Sequence, residues 1–203
     1  MGGIAGRIFM KKLFALCLLS MLIFCVSAAN ADDDLTPKEQ IIKQIISSNY
    51  NYTVNGFFEA IGDGNTECVD LFLKTGMDPN TTNMKLPAIY FAIARKQPKV
   101  VEQLLKAGVS PNTNFKGRSL LNAAIASKNS DTVKVLIWNG ARVNEVSWGI
   151  APLNYAIKKR NAEMVTSLVN AGATVDEEAL VRALHSRNDS IKNTVLSKYK
   201  KQG

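Results

Sequence analysis

Residues able to do catalytic chemistry are scarce in this sequence of 203 residues, and those present lack the partners they would need. His185 is the only histidine, which excludes His-based triads and multi-histidine metal sites. Cys68 lies far from it and is interpreted as a small, half-buried side chain, with a redox or dimerising thiol as the alternative. The acidic residues 32–34 lack the glycine and glutamate positions of a calcium loop, and they indicate a solvated segment.

Serines and lysines are numerous, so counting alone does not exclude a nucleophilic Ser–Lys pair. However, the sequence contains no Gly-x-Ser-x-Gly turn and no glycine-rich phosphate loop. The sequence therefore predicts a protein that is not an enzyme and that uses no metal and no cofactor. An unrecognised Ser/Lys hydrolase is kept as an alternative.

The segment from Met1 to Ala31 has the composition of an export signal. Basic residues and no acid precede an apolar run over residues 13–29, which ends in the small-x-small sequence Ala29-Asn30-Ala31. This order predicts a cleaved signal peptide over residues 1–31, with Met1 or Met10 as the start. The alternative is an uncleaved membrane anchor, because this run of 17 residues, interrupted only by Ser20 and Ser27, approaches the ~20 needed to span a bilayer.

Removal of this signal changes the charge and the cysteine content. It takes away three of the 25 basic residues, so 22 remain against 17 acidic ones, a net charge of +5. This balance is moderate, and no basic block typical of nucleic-acid binding occurs. Cys17 and Cys25 leave with the signal, so Cys68 has no partner for an internal disulfide.

The strongest signal in the sequence is an internal repeat, which appears as four columns of matching residues that share one step. The columns are Gly76, Gly108, Gly140 and Gly172; Ala60, Ala92, Ala124 and Ala156; Val69, Val101, Val133 and Val165; and Asn80, Asn112 and Asn144 followed by Asp176. Since all four columns have the same 32-residue step, the chain contains copies of a single structural element.

Each copy predicts two short helices. Val69, Phe72 and Leu73 have the i, i+3, i+4 spacing of a helix face, and Gly76 follows where a left-handed helix cap is expected. A shorter apolar stripe lies upstream in each copy, and its alanine allows close packing. Neither helix can bury its apolar face alone, so the units must stack.

These motifs resemble the ankyrin repeat. The family pattern G-x-T-P-L-H-x-A-A is matched by "GRSLLNAA" and "GIAPLNYAI", each followed by a glycine-terminated second helix such as "TVKVLIWNGARVN". Tyr90, Asn122 and Asn154 replace the family's histidine, so a hydroxyl or amide would make its turn-bracing hydrogen bond. The resemblance implies an all-α ankyrin-repeat solenoid of stacked helix-turn-helix units with short turn or hairpin tips, plus an N-terminal capping helix.

The predicted organisation follows the repeat period. After the signal, residues 32–55 form the capping helix and linker, and residues 56–203 form the ankyrin-repeat domain, with units of about 56–80, 81–112, 113–144, 145–176 and a C-terminal cap at 177–203. Thr36 and Glu39 predict a capping box for the first helix, whose buried face consists of Ile41, Ile42, Ile45 and Ile46. In the C-terminal cap, the inward residues are predicted to be Ala179, Leu180, Ala183, Leu184, Ile191, Val195 and Leu196.

The resemblance implies that partners bind along the concave strip made by the turn tips and first helices. Residues there differ between repeats while the packing columns stay nearly uniform, and several are of types enriched in interface hot spots. The predicted binding residues are Asn83, Met84, Leu86, Phe115, Lys116, Arg118, Ser147, Trp148, Ile150 and Lys159. The alternative is that neighbouring tips pack on one another. Trp138 is interpreted as an isolated surface aromatic on the other side.

Basic residues recur near the ends of the first helices and are predicted to form a ridge beside this strip. They are Arg95, Lys96, Lys128, Lys158, Lys159 and Arg160. Such a ridge favours an acidic partner and salt-sensitive docking, although a solvated face that aids solubility explains it equally well.

The predicted function is that of an exported bacterial ankyrin-repeat protein. In this interpretation it is a monomeric binding module that recognises another protein, periplasmic or secreted, with no nucleic-acid partner and no small-molecule substrate. The alternative is a scaffold that its N-terminal segment tethers to the inner membrane.

Overall fold

The computed structural model describes residues 35–201. In this range the regular structure consists of eleven α-helices and two short antiparallel hairpins. The predicted signal peptide and the acidic residues 32–34 lie outside the described residues. Within residues 35–201, no helix combines the length and the hydrophobicity needed to cross a lipid bilayer. The chain groups into two compact units with the boundary between Asp78 and Pro79. The domain limits derived from the repeat period stay a prediction.

The described part of the unit before Pro79, residues 35–78, contains three helices: α1 (Pro37–Ser47), α2 (Val54–Asp63) and α3 (Thr66–Lys74). The predicted capping box is present, because Thr36 Oγ1 accepts from the Glu39 amide at 3.3 Å and the Glu39 carboxylate accepts from the Thr36 amide at 2.8 Å. α1 packs against α3. Its isoleucines face this contact, with Ile45 fully buried.

The unit that begins at Pro79 contains three helix pairs, each preceded by a hairpin or a bridge, and a fourth pair without one. The elements are β1 (Thr82–Asn83), β2 (Leu86–Pro87), α4 (Ala88–Ala94) and α5 (Pro98–Lys106); β3 (Asn114–Phe115), β4 (Arg118–Ser119), α6 (Leu120–Ala126) and α7 (Ser130–Trp138); the Ser147–Ile150 bridge, α8 (Pro152–Lys158) and α9 (Ala162–Asn170); and α10 (Glu177–Leu184) and α11 (Asp189–Tyr199). We call α4, α6, α8 and α10 the inner helices and the others of this unit the outer helices.

The helices of this unit stack in two layers. Each inner helix packs against the next inner helix, and each outer helix against the next outer helix. The alanine column lies on the inner helices, and Ala92, Ala124 and Ala156 are fully buried. The valine column is fully buried too. Both columns therefore recur because a larger or a polar side chain would not fit between stacked repeats.

Glycine ends the second helix of each repeat, as the sequence predicts. Gly76, Gly108, Gly140 and Gly172 have φ values of 95°, 105°, 86° and 90°, a region that residues with a Cβ rarely adopt. The helix therefore turns at the same place in every copy. In the unit that begins at Pro79, this regularity brings the loops after Gly108, Gly140 and Gly172 beside one another.

The asparagine column joins these neighbouring loops. Asn112 Nδ2 donates to the Gly140 carbonyl at 3.3 Å, and Asn112 Oδ1 accepts from the Arg142 amide at 2.8 Å. Asn144 makes the same pair of bonds one repeat later, to Gly172 and Thr174. One side chain thus satisfies a carbonyl and an amide of the next repeat, which explains why an amide recurs at this position of the repeat.

The last helix pair departs from the sequence prediction at one position. Asp176 caps α10 through its Oδ1, which accepts from the Ala179 amide at 2.7 Å, and Ala179 and Ala183 are fully buried as expected. Leu184, however, is 50% exposed, and Val181 on the same helix is 52% exposed. Within the described residues no further inner helix follows α10, so the side of α10 away from α8 is not covered.

We predict that the asparagine bonds stabilise the stack measurably. Asn112→Ala removes both bonds to the next repeat and should lower the free energy of unfolding by about 1–2 kcal/mol, measured by urea denaturation. Asn114→Ala is the matched control, because Asn114 lies exposed on β3 close by in the chain. Equal stability of the two variants would contradict the assigned role of the column.

Candidate functional site

The tips of the unit that begins at Pro79 are three two-residue turns. Their residues are Met84-Lys85, Lys116-Gly117 and Trp148-Gly149, and all six have positive φ values between 48° and 77°. Such turns normally carry asparagine and glycine, because other residues pay roughly 1–2 kcal/mol in this conformation. Met84, Lys85, Lys116 and Trp148 therefore occupy their positions against the preference of the backbone.

Tyr90 on α4 holds the second of these turns. Its hydroxyl donates to the Arg118 carbonyl and accepts from the Phe115 amide at 3.0 Å, and its ring lies 5.2 Å from the Phe115 ring. Burial raises the pKa of Tyr90 to about 12, while the Phe115 amide and the Arg118 charge act in the opposite direction. The hydroxyl thus stays protonated and keeps donating to Arg118 at any physiological pH.

Asn122 on α6 holds the third turn in the same way. Its Nδ2 donates to Ser147 Oγ at 2.7 Å and to the Ile150 carbonyl at 3.1 Å, and it is buried. Its Oδ1 has no hydrogen-bond partner among the described residues. No hairpin follows Asn154, and its amide donates instead to the Glu178 carboxylate at 2.9 Å. The residues that replace the family's histidine therefore each bind the following repeat.

Trp148 and Arg118 form a stacked pair between the second and third turns. The indole Nε1 of Trp148 donates to the Lys116 carbonyl at 2.8 Å, and the Arg118 guanidinium carbon lies 3.9 Å from the centre of the indole ring. A Cβ at Gly117 would lie 3.1 Å from Trp148 Nε1, so the indole approaches the turn closely. Trp148 still remains 63% exposed. Trp148 therefore packs on the neighbouring tip, as the alternative interpretation predicts. Most of its surface nevertheless stays exposed.

The other sequence-predicted binding residues vary in exposure. Met84 is 96% exposed and Lys116 is exposed, whereas Asn83, Leu86, Phe115, Arg118, Ile150 and Lys159 are half-buried. Ser147 is only 4% exposed and serves as the anchor for Asn122, so it offers a partner no surface. Lys159 lies over the Tyr155 ring at 5.2 Å. Trp138 lies at the end of outer helix α7 and is 90% exposed.

Two open clefts flank the Trp148–Arg118 pair, and both residues contribute to the wall of each. The first, which we call the apolar cleft, has a volume of about 330 Å³ and is lined mainly by Leu86, Tyr90, Ile93, Phe115, Ala123 and Ala126. The second, the cationic cleft, has a volume of about 380 Å³ and is lined by Asn122, Ile150, Tyr155, Lys158, Glu178 and Arg182, among others. Tyr155 and Arg182, which lie on inner helices α8 and α10, are not among the residues predicted from the sequence.

The candidate catalytic residues are not brought together with partners. Cys68 is buried in the unit before Pro79, so its interpretation as a half-buried side chain is wrong: it lies on the packed face of α3 and is 2% exposed. His185 is exposed, and its Nδ1 lies 2.8 Å from the Val181 carbonyl. In residues 35–201, no group of three or more His, Cys, Asp or Glu side chains could hold a metal ion. Basic side chains do recur, because Lys96, Lys128 and Arg160 occupy the same position of successive repeats.

Comparison with known proteins identifies the family. A family model described as "Ankyrin repeats (3 copies)" matches residues 27–115 and 120–201. No curated protein matches the chain. The family match covers far more than half of the sequence and includes every inner and outer helix described above. Ankyrin repeats are generally modules for protein–protein interaction. The chain therefore belongs to the ankyrin-repeat family, with the all-α solenoid fold that its repeat period predicts.

Proposed function

We propose that the chain is an exported, non-enzymatic module that binds another protein. It does so through a recognition face made by the three turn tips and the exposed sides of the inner helices in the unit that begins at Pro79. The family generally mediates protein–protein contacts. The particular face, the acidic character of the partner and the export are the parts that we add.

The observation that carries this proposal is that Trp148 is both held in place and largely exposed. Its indole is held by the Lys116 carbonyl and by Arg118, yet it is 63% exposed. An aromatic side chain that is already fixed loses little conformational entropy on binding, which favours affinity. Tryptophan and arginine are also the residue types most enriched among interface hot spots.

The basic ridge supports an acidic partner. Lys96, Lys128 and Arg160 follow the inner helices at equal spacing, and their φ values are 58°, 56° and 56°. Gly64 occupies the same column in the preceding unit, with a φ of 70° and no strain. A cation near a helix C-terminus recovers only about 0.3–1 kcal/mol of the strain. Retention of positive charge at three strained positions therefore favours a role in attracting an anionic surface.

Export is supported by the sequence of residues 1–31, which has the order of a signal peptide. We propose a periplasmic or secreted location in a bacterium. The protein purified from its native host should begin at Asp32, as N-terminal sequencing would show. A chain that still begins at Met1 or Met10 would instead support the membrane-tethered alternative.

We predict that Trp148→Ala weakens binding to the partner isolated from the native envelope fraction by about 2 kcal/mol, roughly 30-fold, because a rigid aromatic contact is lost. The measurement is the dissociation constant by surface plasmon resonance. Trp138→Ala is the matched control, since Trp138 is still more exposed but lies on the outer layer. Equal affinity of the Trp148 and Trp138 variants would refute the proposed face.

A triple variant tests the basic ridge and is expected to leave the fold intact. The triple change Lys96→Gly, Lys128→Gly and Arg160→Gly relieves the backbone strain, which offsets the entropy cost of glycine and the lost cation at each helix end, so the free energy of unfolding should not fall by more than about 1 kcal/mol. The association rate with the partner should fall several-fold at low salt and change little at high salt. The control is Lys74→Gln, Lys106→Gln and Lys192→Gln, which removes the same charge from lysines outside the ridge. An equal slowing by both triple variants would mean that net charge, rather than the ridge, attracts the partner.

A further inference from the structure

We propose that the recognition face binds a short linear segment of its partner that carries an acidic and an apolar side chain close together. The carboxylate enters the cationic cleft, and the apolar side chain enters the apolar cleft on the other side of the Trp148–Arg118 pair. This inference rests on the proposed function and specifies the chemistry of the partner.

The cationic cleft is lined by more basic side chains than acidic ones. Arg118, Lys158 and Arg182 line it with a single carboxylate, that of Glu178. Glu178 is already engaged, because one oxygen accepts from Arg182 at 2.6 Å and the other from the Asn154 amide at 2.9 Å. Within residues 35–201, Arg118 and Lys158 form no ion pair with any carboxylate. Two positive charges in this cleft are therefore available to an incoming anion.

The position of Arg118 suits a carboxylate in particular. Its guanidinium is held over the Trp148 ring, 3.9 Å from the ring centre. A guanidinium that stacks on an aromatic face keeps the N–H groups along its edge free to donate, and these match the two oxygens of a carboxylate. The stacking also restricts the side chain before binding, which lowers the entropic cost of the ion pair.

The apolar cleft exists because of one small residue in the middle repeat. Ala123 on α6 occupies the column in which the neighbouring repeats carry Phe91 and Tyr155. The missing ring leaves space between Leu86, Ile93 and Phe115 on the one side and Trp148 on the other. An aliphatic or aromatic side chain of a partner would fill this space and remove apolar surface from water.

A second column accounts for the different character of the two clefts. Ala94 and Ala126 line the apolar cleft at the ends of α4 and α6, whereas the equivalent residue at the end of α8 is Lys158, in the cationic cleft. The same position of the repeat is thus apolar on one side of the Trp148–Arg118 pair and cationic on the other. Since the clefts share this pair as a wall, their two ligand groups must be near neighbours in the partner. In an extended segment, side chains at alternate positions lie on one face about 7 Å from each other.

The test uses the purified full-length protein and a displayed library of random linear peptides. We expect the enriched peptides to carry Asp or Glu within a few residues of a Leu, Ile or Phe. Lys158→Glu should weaken these peptides about tenfold and shift the selection away from acidic residues, while the apolar preference stays. Ala126→Leu, which fills the apolar cleft, should remove the apolar preference and leave the preference for acidic residues unchanged. Lys38→Glu is the control for charge reversal, because Lys38 lies exposed in α1 of the other unit.

The outcomes separate this inference from the proposed function. Enriched peptides without an acidic preference, or a preference that Lys158→Glu leaves unchanged, would overturn the inference. So would the absence of any enriched peptide while the partner protein is still captured, because the inference requires a linear segment. In each of these cases, loss of partner capture by Trp148→Ala would still support the proposed function. If the Trp148 and Trp138 variants capture the partner equally, the proposed function fails, whatever the peptides show.

Discussion

The hydrogen bonds that Tyr90 and Asn122 make to the following hairpin are the interactions on which the recognition face depends. Most of these bonds join a side chain to backbone atoms. Tyr90 bonds to the Phe115 amide and the Arg118 carbonyl, and Asn122 bonds to the Ile150 carbonyl. Such bonds fix where a turn lies without specifying which side chains it carries. This separation explains how the packing columns can recur in every repeat while the tips differ in each copy.

The backbone conformation of the turns also limits which side chains the tips can carry. A two-residue turn with positive φ at both positions selects for glycine and asparagine, and only Gly117 and Gly149 follow this preference. Met84, Lys85, Lys116 and Trp148 do not. The cost is local and is met by the many buried contacts of the helices behind the turns. Strain in this unit is therefore found at its exposed tips and along the basic ridge, and not within the stacked helices.

Much of the fold could be predicted because its determinants repeat or are local in sequence. The glycine column gives the end of each helix from a single residue type, and Thr36 and Glu39 form their capping box within one helical turn. Leu184 was expected to face inward because its spacing fits the apolar stripe of α10. Spacing does not show whether a further repeat covers that stripe, and in the described residues none does. The position of Leu184 thus depends on what lies beside the helix, which periodicity does not encode.

The clefts could not be predicted in the same way, because they depend on contacts between repeats. The indole of Trp148 reaches the carbonyl of Lys116, a residue one full period earlier, and Ser147 is buried by Asn122 of the preceding inner helix. A signal for the apolar cleft was nevertheless present, since Ala123 stands between Phe91 and Tyr155 in its column. A small residue in an otherwise aromatic column of an exposed helix face marks a place where a neighbouring molecule can enter.

The dependence of Trp148 on Gly117 shows how specificity could change on this scaffold. Two constraints act on Gly117: its φ of 77°, and the indole nitrogen 3.1 Å from where a Cβ would stand. Replacement of Trp148 by a small residue would remove the second constraint but leave the first, so asparagine could then occupy position 117 at little cost. A larger residue at position 117 therefore requires a change at position 148, whereas Trp148 can change while Gly117 stays. A new tip of this kind would abolish the shared wall of the two clefts while the bonds from Tyr90 and Asn122 to the backbone remained, so the partner would change and the fold would not.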